Sequence, residues 1–275
     1  MLSYRHAFHA GNYADVLKHF VLVQSLDYLL QKPAPLLYID THAGAGSYAL
    51  DSDMSKKTKE YDGGAGALDF KSLPDSFARY GQLLADCEKN GSYPGSPKIA
   101  AACLRKQDRL ALFELHPSDE PKLKKLFQRD RRVQVSRSDG HHALKALLPA
   151  AQKRALVLMD PSFEVKEEYR SVVESLQEAY KRMPNACLLL WYPVVQRAQI
   201  DGLIKSLRRS KMRDVWQFEL GIKPDSTEFG MNATGMIVVN PAWTLPGQLE
   251  QALPALKKQL APEAGFYRIE QIVPE

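Results

Sequence analysis

The chain of 275 residues carries 37 Lys plus Arg against 32 Asp plus Glu, a formal charge of +5 that points weakly to an anionic partner. Hydrophobic residues at 45% and charged residues at 25% exclude wholesale disorder, and at ~100–200 residues per domain the length allows one large domain or two modest ones. Three scattered cysteines exclude a disulfide framework and a cysteine zinc motif; with no apolar run near the ~20 residues of a membrane span and no signal-peptide core after Met1, a soluble cytoplasmic protein is expected.

In chain order, apolar residues at Val16, Leu17, Phe20, Val21, Val23, Leu26 and Leu30 predict a helix over 14–30. Pro33 and Pro35 break it, and 36–39 is a short buried strand. Residues 51–93 are polar, then Gly-rich, then helical around 77–88. They form either a long loop or, as expected here, a small helical insertion, because structureless loops beyond ~15 residues are uncommon. Buried strands follow at 110–115, 133–135, 155–159 and 186–191, separated by helices near 98–106, 118–128, 141–148 and 166–182. This alternation implies βαβ units and a mostly parallel sheet. Strands at 215–220 and 236–240 with no long helix between them predict an antiparallel finish.

The chemistry-bearing residues sit at strand ends. Asp40-Thr41-His42-Ala43-Gly44-Ala45-Gly46 follows the first strand, and Gly44 to Ala49 formally satisfies the dinucleotide fingerprint G-x-G-x-x-G/A. A nicotinamide enzyme needs an acid ~20 positions later. The next strand-terminal acid is Glu114, so S-adenosylmethionine suits the segment better, with Asp40 facing its ammonium. Glu114 could accept both ribose hydroxyls; a plain surface acid is the alternative. Asp139 could take an adenine amine beside Gly140, which admits the ring, or the pair is simply a helix-capping turn.

Asp160-Pro161-Ser162-Phe163 closes an apolar strand and resembles the D/N-P-P-Y/F motif of amino-group methyltransferases, with Ser162 in place of the second proline. The Asp160 carboxylate and the Pro161 carbonyl can accept both hydrogens of an exocyclic amine, and Phe163 can stack on an extruded base. In the N-terminal run, His6, His9 and His19 lack metal-ligand spacing on a helix, so no metal is expected.

The whole chain resembles the RlmJ family of 23S ribosomal RNA adenine-N6 methyltransferases. The likeness rests on Met1 to His6, Phe8-His9-Ala10-Gly11-Asn12, Ala14 to His19, Asp40 to Gly46, Tyr93-Pro94-Gly95-Ser96-Pro97, Glu114-Leu115-His116-Pro117-Ser118-Asp119 and Leu190 to Val195. Ser226, Gly230-Met231, Gly235 to Val238 and Ile272-Val273-Pro274-Glu275 extend it to the end. The resemblance implies a Rossmann-like class I S-adenosylmethionine-dependent methyltransferase fold over 1–50 and 94–275. Residues 1–19 would be a lid and RNA-contact segment, and 51–93 an inserted helical subdomain. It further implies cofactor contacts from His19, His42, Ser96, Glu114, Asp139, Gly140 and Asp160, and an RNA contact from Tyr4. Catalysis would fall to Asp160, Pro161 and Phe163, and the partner would be free or partly assembled 23S rRNA met by a monomer. A reading of another class is a nucleic-acid-binding protein in uptake or catabolism of external DNA, with a decayed methyltransferase site.

Overall fold

The computed structural model describes residues 5–225 and 230–275; Tyr4 and Ser226 lie outside the described residues. In chain order the elements are α1 (Tyr13–Leu29), β1 (Leu37–Asp40), β2 (Ser47–Ala49), α2 (Asp53–Thr58), α3 (Ala78–Glu88), β3 (Ser92–Pro94), α4 (Ser96–Cys103), β4 (Arg109–Phe113), α5 (Glu120–Phe127), β5 (Val133–Ser136) and α6 (Gly140–Leu147). The second half supplies β6 (Ala155–Met159), α7 (Glu168–Arg182), β7 (Cys187–Val194), α8 (Arg197–Arg208), β8 (Val215–Gly221), β9 (Ala233–Val239), α9 (Leu245–Leu260) and β10 (Phe266–Val273).

Eight strands form one sheet in the order β10-β8-β9-β7-β6-β1-β4-β5. Strands β5, β4, β1, β6 and β7 run parallel, whereas β9 is antiparallel to both β7 and β8, as the short connection between them predicts. Successive residues of a strand face opposite sides, which divides the core in two. Tyr38, Leu110, Leu156 and Leu189 pack with α1, α4 and α9; Ile39, Ala111, Val157 and Leu188 pack with α6, α7 and α8. The result is a three-layer α/β sandwich.

Helix α1 starts where the Asn12 side chain accepts from the backbone N–H of Ala14 and Asp15, and every residue from Ala14 to Leu26 is buried. It is apolar around most of its circumference because the sheet lies on one side and α3, α4 and α9 on others. Segment 51–93 begins and ends beside the short antiparallel pair β2–β3, in which Tyr48 opposes Tyr93. Strand β1 is flanked by β4 on one side and β6 on the other, so the chain order reverses there. The crevice beyond the carboxyl ends of these strands is where a doubly wound sheet holds a ligand.

Candidate active site

A cavity of about 300 Å³ occupies that crevice. Its wall includes Lys18, His19, His42, Gly44, Ser96, Glu114, Asp139, Gly140, Asp160 and Ser162. Six sequence-expected cofactor positions and Asp160 are therefore brought to one place by α1, β1, β4, β6, α4 and α6.

Asp40 does not reach the cavity directly. It is fully buried, its Oδ2 accepting from the Tyr38 hydroxyl at 2.8 Å and the Ser96 hydroxyl at 2.7 Å. Burial raises its pKa to about 6, against those hydrogen bonds. Ser96 stands between Asp40 and the cavity with its proton committed to Asp40, so it presents oxygen lone pairs inward. A cationic group would therefore meet Ser96, with the Asp40 charge behind it.

Glu114 accepts from Gly44 N–H at 2.7 Å and His116 N–H at 2.6 Å, one bond to each oxygen. Burial raises its pKa, opposed by these two bonds. A carboxylate offers about four lone-pair sites, so two remain for hydroxyl donors. Gly44 sits at φ +58°, and a Cβ there would lie 2.2 Å from the Tyr48 hydroxyl, which is why glycine is required.

Asp139 caps α6, accepting from His141 N–H at 2.8 Å, and its Oδ2 lies 3.3 Å from His142 Nδ1. The capping turn and the cavity position thus coexist. Gly140 is forced by the protein itself: a Cβ there would lie 2.3 Å from the Thr41 carbonyl oxygen.

His42 lies at edge-to-face distance from His141, 4.9 Å between ring centres, and burial lowers its pKa to about 3. The Thr41 hydroxyl donates to the Leu158 carbonyl at 3.2 Å, so at 2.8 Å it accepts from His42 Nδ1. His42 Nε2 is therefore an acceptor. His19 is held by the Tyr93 hydroxyl at 2.9 Å, and burial lowers its pKa to about 3 as well. Both imidazoles are neutral at physiological pH. The three N-terminal histidines go to separate partners, His6 to Asp15, His9 to Glu60 and His19 to Tyr93, and do not converge.

At the end of β6, Asp160 Oδ2 accepts from Lys18 Nζ at 2.6 Å, and the same ammonium lies 2.8 Å from Asp15 Oδ1. Burial pulls the Lys18 pKa down, but the two carboxylates outweigh it and raise it. Asp15 is itself held by Gly11 N–H at 2.8 Å and His6 Nε2 at 3.0 Å. The chain is thus His6–Asp15–Lys18–Asp160, and among the described residues Asp160 Oδ1 accepts no hydrogen bond. Sequence reasoning missed Asp15, Lys18 and His6 as site residues. The available signal was charge at Asp15 and Lys18, one turn apart on a helix whose apolar residues run around most of its circumference.

Pro161 is buried and Ser162 lines the cavity. Phe163 is not among the lining residues; its ring packs 4.7 Å from Tyr169 and 6.1 Å from Trp191, and its φ is +52°. A bulky residue in that region is strained, which marks the loop as held in place by its surroundings.

A family model described as ribosomal RNA large subunit methyltransferase D, RlmJ, matches residues 33–273. Curated proteins named ribosomal RNA large subunit methyltransferase J from Haemophilus influenzae and Escherichia coli are each 46% identical, over the full length of both chains. A crystal structure of a Legionella pneumophila protein superposes with a TM-score of 0.89 at 36% identity, covering 96% of this chain and 98% of that one. Those matches, and a mixed sheet with its cavity at the strand order reversal in the parallel part, make the fold that of a Rossmann-like class I methyltransferase. The chain belongs to the RlmJ family of ribosomal RNA large subunit methyltransferases.

Proposed function

We propose that the protein methylates the exocyclic N6 amine of an adenine in 23S rRNA, free or partly assembled, acting as a monomer with S-adenosylmethionine as donor. The observation that carries the reading is Asp160 at the cavity wall, one carboxylate oxygen fixed by Lys18 and the other open. The donor set fits the cofactor. Ser96 offers lone pairs to an ammonium, Glu114 two acceptor sites to ribose hydroxyls, and Asp139 an acceptor to an adenine amine. When bound, the cofactor supplies an electrophilic methyl group.

The protein's own residues then position the nucleophile. An arylamine is weakly nucleophilic because its lone pair is delocalised into the ring. Accepting its two hydrogens at Asp160 Oδ1 and the Pro161 carbonyl favours the pyramidal nitrogen that attack requires. Lys18 fixes Asp160 in place, so the carboxylate acts as an oriented hydrogen-bond acceptor for the amine. The amine need lose its proton only after it is methylated. Phe163 would stack on the extruded base only by turning away from Tyr169 and Trp191.

We also read 51–93 as an inserted subdomain and 1–19 as a lid tied to it. The bonds from His9 (2.8 Å) and Asn12 (2.9 Å) to Glu60 support that tie. Tritiated methyl transfer onto RNA from a strain lacking this gene, followed by nucleoside analysis, tests the function. The expected product is N6-methyladenosine in 23S rRNA; label in another base, or only in DNA, overturns it.

A further inference from the structure

A second groove lies on the α8 face of the sheet, far from the cavity. Its wall is formed by Lys205, Arg208 and Arg209 from the end of α8, Gln217 from β8, and Arg268 and Glu270 from β10, with Asp201 one turn up the helix. Arg208 is neutralised by Glu270. Lys205, Arg209 and Arg268 have no carboxylate partner among the described residues, so the groove keeps an excess of positive charge over Asp201. Strand β8 is four positions from β1 in the sheet, roughly 20 Å away at ~4.8 Å per strand.

Cations in the last turn of a helix are often explained by its macrodipole. That accounts for Lys205 and Arg208 but not for Arg268, which stands on a strand. Nor does it account for Gln217. This side chain is fully buried, and its Oε1 has no hydrogen-bond partner. Its orientation is dictated by its neighbours: the Tyr192 hydroxyl spends its one proton on Glu219 at 2.9 Å, so it can only accept from Gln217 Nε2, at 2.8 Å. The amide must therefore leave its carbonyl oxygen open, and a buried orphan acceptor calls for a donor.

We propose that this groove docks the sugar–phosphate backbone of the substrate RNA. Lys205, Arg209 and Arg268 would take phosphates, and the buried Gln217 carbonyl, uncovered as the groove side chains move aside for the RNA, would accept from a ribose 2′-hydroxyl. A phosphate alone brings no donor, and DNA lacks that hydroxyl, so the pairing of cations with a lone acceptor selects RNA. The proposal rests on the protein acting on RNA, as argued above.

The test compares the full chain with the triple variant Lys205→Glu/Arg209→Glu/Arg268→Glu, all exposed positions, on an unmodified 23S rRNA transcript. Its KM should rise at least tenfold with kcat unchanged. The slope of log affinity against log salt should flatten by about 2–3, because each lost phosphate contact removes ~0.7–0.9. Unchanged KM and slope would overturn the groove. A wild-type protein that methylates no RNA would instead sink the function on which it rests. Gln217→Leu should bring the affinity for an RNA oligonucleotide towards that for the matching DNA. An unchanged RNA-to-DNA ratio in a folded Gln217→Leu protein would overturn the 2′-hydroxyl contact.

Discussion

Asp160 is where single-residue chemistry is most exposed to test. Asp160→Ala removes the acceptor for the amine, so methylation should fall by at least ~100-fold, and because Lys18 keeps Asp15 as a partner the melting temperature should fall by less than in Lys18→Met. A variant with near wild-type turnover would refute the assignment. Lys18 behaves differently because it holds two carboxylates at once. Lys18→Met would leave Asp15 and Asp160 without their shared counterion, and breaking a buried pair in this way costs about 3–5 kcal/mol. Denaturant unfolding should show that loss, and Asp15→Asn on the same background should recover part of it. If Lys18→Met is as stable as wild type, the chain from His6 to Asp160 is not a structural unit.

Asp40 gives a pH dependence with a definite sign. Burial raises its folded pKa to about 6 from the ordinary carboxylate value of 3.8, so its contribution to stability is fully present below about 4 and is lost as the pH rises through about 6. Ligand binding runs the other way. Below about 6 Asp40 takes a proton and Ser96 loses its anionic partner, so the site offers less to an ammonium. The affinity for S-adenosylhomocysteine should therefore fall by up to ~10-fold per pH unit below about 6, as one-proton linkage requires. Calorimetry between pH 5 and 8 reads this directly, and a flat profile would remove Asp40 from cofactor binding.

Among the elements, the start of α6 is the most constrained part of the site. Gly140→Ala would place a methyl group 2.3 Å from the Thr41 carbonyl, so β1's exit and α6 must separate. Asp139 and His42 should shift together, and affinity for S-adenosylhomocysteine should drop more than global stability does. Unchanged affinity in calorimetry would contradict this. Sequence reasoning expected the glycine for a different reason, to admit a ring of the ligand; its need is met already by the protein's own backbone.

The parallel strands were legible because buried strands are short apolar runs closed by an acid, as at Asp40, Glu114 and Asp160. Three other elements of the main sandwich were not. Helix α9 opens on Pro246, which suits a first turn, but Gly247 and the internal Pro254 argue against a helix until tertiary packing on α1 and β8 overrides them. Helix α8 does carry Ile200, Leu203, Ile204 and Leu207 at helical spacing, a signal left unused. Strand β10, at the sheet edge, alternates polar and apolar residues too weakly to stand out. For the site, strand-end acids were visible because their spacing is local. That Asp40 acts through Ser96, or that Lys18, paired with Asp15, reaches Asp160 across 142 residues of sequence, depends on how α1 is laid against the sheet.

At the scale of the whole molecule, the cavity sits at the carboxyl ends of the strands and is walled by α1, the β1 turn and the Asp160 loop. A base must leave its stack to reach Asp160, at a cost of a few kcal/mol that is least for an unpaired or poorly stacked nucleotide. In a finished ribosomal subunit, proteins and tertiary contacts would add their own energy to that cost and block approach of the basic α8 edge. Protein-free 23S rRNA should therefore be methylated at least ~10-fold faster than mature large subunits, since each ~1.4 kcal/mol of extra unstacking is tenfold in rate. The comparison uses both substrates from a strain lacking the gene, at equal concentration, with the methylated nucleoside identified. Equal rates would mean that the target base is already accessible in the assembled particle, and that the enzyme acts late rather than early. Single-stranded DNA of the same sequence supplies the remaining control. It too presents adenine without a stacking penalty, so its turnover isolates what the ribose hydroxyls contribute. Efficient DNA methylation would place substrate choice in the cavity alone.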